Sequence, residues 1–362
     1  MAQRARIIIG ILTASAVLAC GLLAAPWSPR LSSEVFGDAA LAETVRPLLK
    51  NPADQVSVVY VEDGTTRHVG FGADENTEFE IGSVSKTFTA ALLADAVERG
   101  EVTLETTVAD IMGTDLTDPG AEIGTVTLAE LASHRSGLPR LATDPAPLIS
   151  SIFRAVLHRD PYTAPPAEVL HHAQSAPLGG RGAVSYSNLG YAFLGQLLAR
   201  AAGMEYHELL RQRILEPLNM QDTYAPVTAG NVRSDAPAGR SAGGLKQAPW
   251  TMHGSAPAGG IRSTAADMSR YAQAMLAGTA PGAEALDPVW ETGDDGERVG
   301  LSWFTQVSKE SPERVVTWHN GQTGGFASMV ALERDAGRAV LILSNVAAGQ
   351  EEAALTLLKE GL

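Results

Sequence analysis

The chain has 362 residues, with 27 Lys and Arg against 41 Asp and Glu, one Cys and 45% hydrophobic residues. A formal charge of −14 argues against a nucleic-acid binder, whose affinity for phosphates comes from clustered basic side chains. A single Cys excludes an internal disulfide and a thiolate zinc site, and the composition is that of a core-forming protein of about two units, or of one large unit with an insert.

The amino terminus reads as an address. Arg4 and Arg6 precede the uncharged stretch Ile7 to Ala25, and Pro26 follows. Residues 1–25 therefore have the order of an export signal, and the run is long enough to serve as an uncleaved membrane anchor. Cys20, in Val17-Leu18-Ala19-Cys20, loosely resembles a lipid-attachment box, against which stand Leu18 and the apolar Gly21-Leu22-Leu23. Residues 26–40 read as a leader and 41–362 as the working domain, acidic and outside the cytoplasm, in the cell envelope or beyond it.

Along that domain, Glu34 to Lys50 reads as a short helix. Gln55 to Tyr60 and Arg67 to Phe71 read as a hairpin turned at Asp63-Gly64. Val84 to Arg99 reads as a helix capped by Gly100. The middle, about 115–260, is helical pieces punctuated by Pro and Gly: Leu128 to His134, Ala167 to Gln174, Leu189 to Ala202 and Tyr206 to Leu218. Ser234 to Pro249 reads as a surface loop. Thr264 with Asp267 resembles a capping box opening a helix to Leu276. Strands return at Val299 to Thr305, Arg314 to Trp318, Phe326 to Leu332 and Ala339 to Leu343, and Glu351 to Leu358 closes as a helix. This order predicts an α/β (α+β) fold: an antiparallel sheet built from both chain ends, flanked by helices, with a mostly helical insert.

The segment with chemistry in it is Glu80-Ile81-Gly82-Ser83-Val84-Ser85-Lys86. Ser83 stands at a helix mouth, and Lys86 follows one turn later on the same face. Backbone N–H groups at such a mouth can stabilise charge on an attacked carbonyl. A buried lysine loses its proton readily enough to accept one from the serine. Lysine is scarce here, at positions 50, 86, 246, 309 and 359 alone, yet one Ser-x-x-Lys match can arise by chance.

Two further segments carry a resemblance. Val184-Ser185-Tyr186-Ser187-Asn188 resembles the Tyr-x-Asn element of penicillin-recognising serine hydrolases, and Trp318-His319-Asn320-Gly321-Gln322 resembles their third element. Leu131 to Pro139, Ala258 to Thr264 and Thr323 to Phe326 add to the likeness, which is to class C β-lactamases, D-alanyl-D-alanine carboxypeptidases and related esterases over about residues 40–350.

The resemblance implies that Ser83 is the acylated nucleophile and that Lys86 activates it together with Tyr186. It implies that Asn188 holds Lys86 and the substrate amide. His319 would offer positive or hydrogen-bonding character to the substrate's anionic end, Gly321 would leave room for substrate, and the N–H groups of Ser83 and Gln322 would form the oxyanion hole. No His-Glu-x-x-His stretch is present, and neither a metal nor a cofactor is expected. The substrate would be a small molecule or a peptidoglycan peptide. His319 and Asn320 depart from the Lys-Thr usual in class C enzymes, which weakens the expectation for a carboxylate partner.

Three functions follow: an exported acyl-enzyme hydrolase of D-alanyl peptides or β-lactams; the same machinery on esters or other amides; and a non-catalytic binding domain. The adjacent His171 and His172 diverge on a helix and make poor joint metal ligands. Gly239-Arg240-Ser241-Ala242-Gly243 matches a nucleophile elbow, but Pro, Gly and Ala on both sides give it neither strand nor helix, and Ser241 reads as loop.

Overall fold

The computed structural model describes residues 28–307 and 314–362. The expected signal or anchor over residues 1–25 and Cys20 lie outside the described residues. No helix among those described is long and apolar enough to cross a membrane.

The strands are β1 (Val35–Gly37), β2 (Val56–Glu62), β3 (Thr65–Phe71), β4 (Glu78–Glu80), β5 (Arg240–Ser241), β6 (Arg262–Thr264), β7 (Trp290–Glu291), β8 (Glu297–Val299), β9 (Phe304–Val307), β10 (Val315–Gln322), β11 (Ala327–Glu333), β12 (Arg338–Ser344) and β13 (Val346–Ala347). Nine of them form one sheet in the order β1-β3-β2-β12-β11-β10-β9-β8-β7. Its centre joins the two ends of the chain, because β2 pairs antiparallel with β12 in the register Val59↔Leu341. The hairpin between β2 and β3 turns at Asp63 (φ 50°) and Gly64 (φ 74°), the left-handed pair that suits the twist of a two-residue loop.

Side chains alternate across the sheet. Val56, Val58 and Tyr60 of β2 and Val340 and Ile342 of β12 pack under α1 (Ala39–Val45) and the carboxy-terminal helix Glu351–Glu360. Val59, Val61, Ala339, Leu341 and Leu343 face the opposite core, shared with the helical body. That body contains α2 (Ser85–Glu98), α3 (Val108–Met112), α4 (Leu128–Ala132), α5 (Pro145–Val156), α6 (Pro166–Ser175), α7 (Asn188–Ala202), α8 (Tyr206–Leu210), α9 (Ala256–Gly259) and α10 (Ala265–Leu276). Every residue of α2 from Ser85 to Ala96 is buried. Its apolar surface runs nearly all round, which makes it the central pillar rather than a surface helix.

Several expectations need correction. Glu34 to Lys50 is not one helix: Gly37 (φ 82°) breaks the chain after β1, and Asp38 caps α1 by accepting from the Leu41 N–H at 3.0 Å. Tyr206 to Leu218 leaves the α-helix after Leu210 for a π-turn at Arg211–Leu215. Val299 to Thr305 is a bend between two strands, with Ser302 at φ 71°. The helix α5 was not anticipated at all, nor was the pairing of β4 with β6, Glu80 opposite Arg262. Between those strands the buried Arg262 meets Glu78 and, at 2.7 Å, Glu80.

Candidate active site

Ser83 occupies a 3-10 turn, Gly82–Val84, that feeds α2. The turn is fixed from three sides. The Ile81 N–H donates to the Ile261 carbonyl at 3.1 Å, the Ile261 N–H donates to Ser85 Oγ at 3.0 Å, and the Ser328 hydroxyl of β11 donates to the Ile81 carbonyl at 2.7 Å. Ser83 is half-buried while Lys86 is fully buried, so a ligand can reach the hydroxyl but water cannot surround the amine. Lys86 Nζ lies 3.1 Å from Ser83 Oγ and donates to the Ala258 carbonyl at 2.6 Å. Burial, reinforced by the positive charge of Arg140, pushes the amine's pKa well below its ordinary 10.5.

Tyr186, half-buried just before α7, completes the cluster. Its ring lies 4.9 Å from Lys86 Nζ, and its hydroxyl faces that of Ser83. Burial raises its pKa to about 12, so it carries its proton at neutral pH and can hand it on. The ring rests on His134, with centroids 4.4 Å apart. His134 in turn accepts from the Ser187 N–H through Nδ1 at 3.1 Å, which tethers the loop that presents Tyr186. Asn188 opens α7 close by, but it does not bond Lys86. Its Oδ1 is buried without a partner, and its side chain faces the Tyr162 hydroxyl. The role of holding Lys86 falls to Ala258.

The third expected element lies on β10. β9 pairs with β10 only as far as Trp318, which leaves residues 319–322 without a strand partner on the side away from β11, among the described residues. His319 is buried and donates from Nδ1 to the Asn320 carbonyl at 2.7 Å, leaving Nε2 unpartnered. Burial, with Lys86 nearby, lowers its pKa to about 3. It is therefore a neutral hydrogen-bonding group and not a cation, which removes the positive half of the expectation. Asn320 is held by Glu351 at 2.8 Å.

Gly321 serves packing, not substrate room. A Cβ there would sit 2.1 Å from the Ile81 carbonyl oxygen and 2.9 Å from the Ser83 nitrogen. Gly82, at φ 49°, faces the Gln322 nitrogen just as closely, with its missing Cβ at 2.6 Å. These two glycines bring the N–H groups of Ser83 and Gln322 onto facing segments.

Sequence reasoning missed three participants. Ala258 offers only a backbone carbonyl, which no side-chain pattern can signal. His134 lies within the Leu131 to Pro139 segment already noted, and Arg140 directly follows it. Arg140 is exposed, with its guanidinium 5.1 Å from the Tyr186 ring, and no carboxylate pairs with it among the described residues. Elsewhere, Ser57, His68 and Glu75 line up like a triad, but Ser57 is buried and His68 stands 3.6 Å from Glu75, so no substrate can reach that hydroxyl. Ser241 ends the short strand β5, which pairs with β13, and accepts from the Leu245 N–H. The expected loop therefore holds a short strand at this point, but Ser241 heads a turn and no helix follows it.

A reachable serine backed by a buried amine, on this α+β fold, defines the class: serine hydrolases of the penicillin-recognising type. The family model described as Beta-lactamase matches residues 41–360, and the chain belongs to that family. The beta-lactamase of Escherichia coli (strain K12) is 26% identical over 349 residues, covering 83% of this chain and 87% of that protein. The D-alanyl-D-alanine-carboxypeptidase/endopeptidase AmpH of the same organism is 26% identical over 277 residues, covering 70% of this chain and 66% of its own length. A class C beta lactamase from Rhodobacter sphaeroides shares the fold with a TM-score of 0.73 at 20% identity, over 89% of this chain and 99% of that one.

Proposed function

We propose that this serine hydrolase is exported and cleaves D-alanyl peptides or β-lactams through an acyl-enzyme on Ser83. The observation that carries the reading is the fully buried Lys86 amine 3.1 Å from the half-buried Ser83 hydroxyl. In its neutral form the amine keeps an N–H for Ala258 and turns its lone pair to the serine. Ser83 Oγ attacks the carbonyl as its proton passes to Lys86, and the N–H groups of Ser83 and Gln322 receive the developing oxyanion. Tyr186 then delivers a proton to the leaving nitrogen and is reprotonated from Lys86. Water attacks the ester, releasing the acid and restoring Ser83. Arg140 is the cation available to a substrate carboxylate, since His319 is neutral. Export rests on the order of Arg4, Arg6 and the apolar stretch behind them.

An intact-mass time course with benzylpenicillin, with drug hydrolysis followed alongside, tests this. An adduct that persists and is lost in Ser83→Ala indicates a penicillin-inhibited peptidase; drug consumed without a lasting adduct indicates a β-lactamase. Neither adduct nor consumption moves the substrate to esters or other amides. That second reading has its own support, because Asn320 is engaged with Glu351 and a large apolar cavity adjoins Asn188.

A further inference from the structure

A cavity of about 540 Å³ opens beside Asn188 and extends under α5. Leu148 and Ile152 of α5, Val169 of α6, Leu189 of α7 and the nearby Leu141 make its lining largely apolar, with Glu168 and His172 as the charged or chargeable groups in the wall. The lining also includes Asn188, two residues from Tyr186, and Tyr162, which lies within electrostatic reach of Tyr186. The Tyr162 hydroxyl faces the Asn188 side chain, and its ring meets Trp250 edge-on at 5.5 Å. No residue of α5 is buried. The helix thus walls a space that it does not fill, held down by Ser151 and Arg154 donating to the carbonyls of Pro161 and Asp160 at 2.8 and 2.6 Å. Protein interiors normally close such gaps, whereas an apolar space of this size next to a few convergent polar groups has the dimensions of a ligand site.

We propose that this cavity is the acyl subsite: it takes a straight apolar acyl chain, on the order of eight carbons, of an ester or amide whose carbonyl lies at Ser83. The proposal rests on the acyl-enzyme reading above. The chain passes Asn188 and Tyr162 and displaces water from the walls under α5. Ser83 Oγ bonds to the carbonyl carbon, the bond to the alcohol or amine breaks, that group leaves with a proton, and water later releases the fatty acid.

The test is kcat/KM of the whole protein for p-nitrophenyl acetate, butyrate, octanoate and palmitate, each below its solubility limit, with Ser83→Ala as control. We expect a rise of roughly two- to fourfold per methylene to about eight carbons, then a fall. Leu148→Trp should lower the octanoate-to-acetate ratio at least tenfold, with folding checked by circular dichroism; Ala155→Phe repeats the measurement if the first variant does not fold. A flat chain-length profile with Ser83-dependent turnover overturns the acyl subsite alone, as does an unchanged ratio in a folded variant. Failure of every ester and of benzylpenicillin to acylate Ser83 overturns the reading beneath it.

Discussion

The buried amine of Lys86 donates its shortest hydrogen bond to the backbone carbonyl of Ala258, 2.6 Å away. A carbonyl cannot take up a proton from the amine at physiological pH, nor can it rotate out of the site as an amide side chain can. It fixes Nζ beside Ser83 while leaving the protonation state to burial and to Arg140. The base is therefore positioned by backbone and tuned by its surroundings.

Removing the hydroxyl in Ser83→Ala should abolish acylation, a loss of roughly 10³-fold or more, with little change in melting temperature, because one half-buried oxygen is deleted from a turn held by Ile261 and Ser328. Tyr186→Phe should lower kcat by roughly 10²- to 10⁴-fold while leaving the fold intact. Intact mass after incubation with benzylpenicillin or an activated ester reads both.

The rate of acylation should rise with pH through the pKa of Lys86 and level off well below pH 10.5, since only the neutral amine accepts the serine proton. Arg140→Gln removes a positive charge that disfavours the protonated amine, so the acid limb of the kcat/KM profile should move to higher pH. Stability should change by no more than about 0.5 kcal/mol, because Arg140 is exposed and has no carboxylate partner among the described residues. An unmoved limb would mean that Arg140 does not act on Lys86.

Gly321→Ala places a methyl group against the Ile81 carbonyl and the Ser83 nitrogen. The nucleophile turn must shift, and we expect kcat to fall by about 10²-fold with a stability loss of about 1–3 kcal/mol. Kinetics and urea unfolding of the purified variant check the two parts separately.

His319 stays neutral in the fold down to about pH 3, whereas an unfolded histidine takes up its proton near pH 6.5. Above pH 6.5 the difference vanishes. As pH falls towards 3 the unfolded state binds the extra proton, so stability is lost, on the order of 3 kcal/mol by pH 4 from this residue. His319→Gln should flatten the dependence of urea-unfolding free energy on pH between 4 and 7; an equally steep slope in the variant would show that His319 is accessible to protons.

The parts of the fold visible in the sequence were those with strong local signals. Asp63-Gly64 announced the first hairpin, the apolar run after Ser83 announced α2, and Thr264 with Asp267 announced α10. The helix α5 was hidden by Pro145 and Pro147, which read as breakers although proline is tolerated in the first helical turn. Leu148, Ile149, Ile152, Phe153 and Val156 carry a helical spacing that could have revealed it. The strands β4 and β6 are too short to show a period, and they exist through their pairing and the buried Arg262 between Glu78 and Glu80.

By itself the sequence determined the chemical identities at the site: a serine at a helix mouth, a lysine one turn on, and Tyr186, Asn188 and His319 in motifs far along the chain. Tertiary structure alone decided their states and partners. Burial makes His319 neutral, a backbone carbonyl and not Asn188 holds Lys86, and Gly321 serves close packing against the nucleophile turn. The physical reason is that residue type and spacing are local properties. Solvent exclusion, hydrogen-bond partners and the field of a distant guanidinium depend on segments that meet only when the chain has folded.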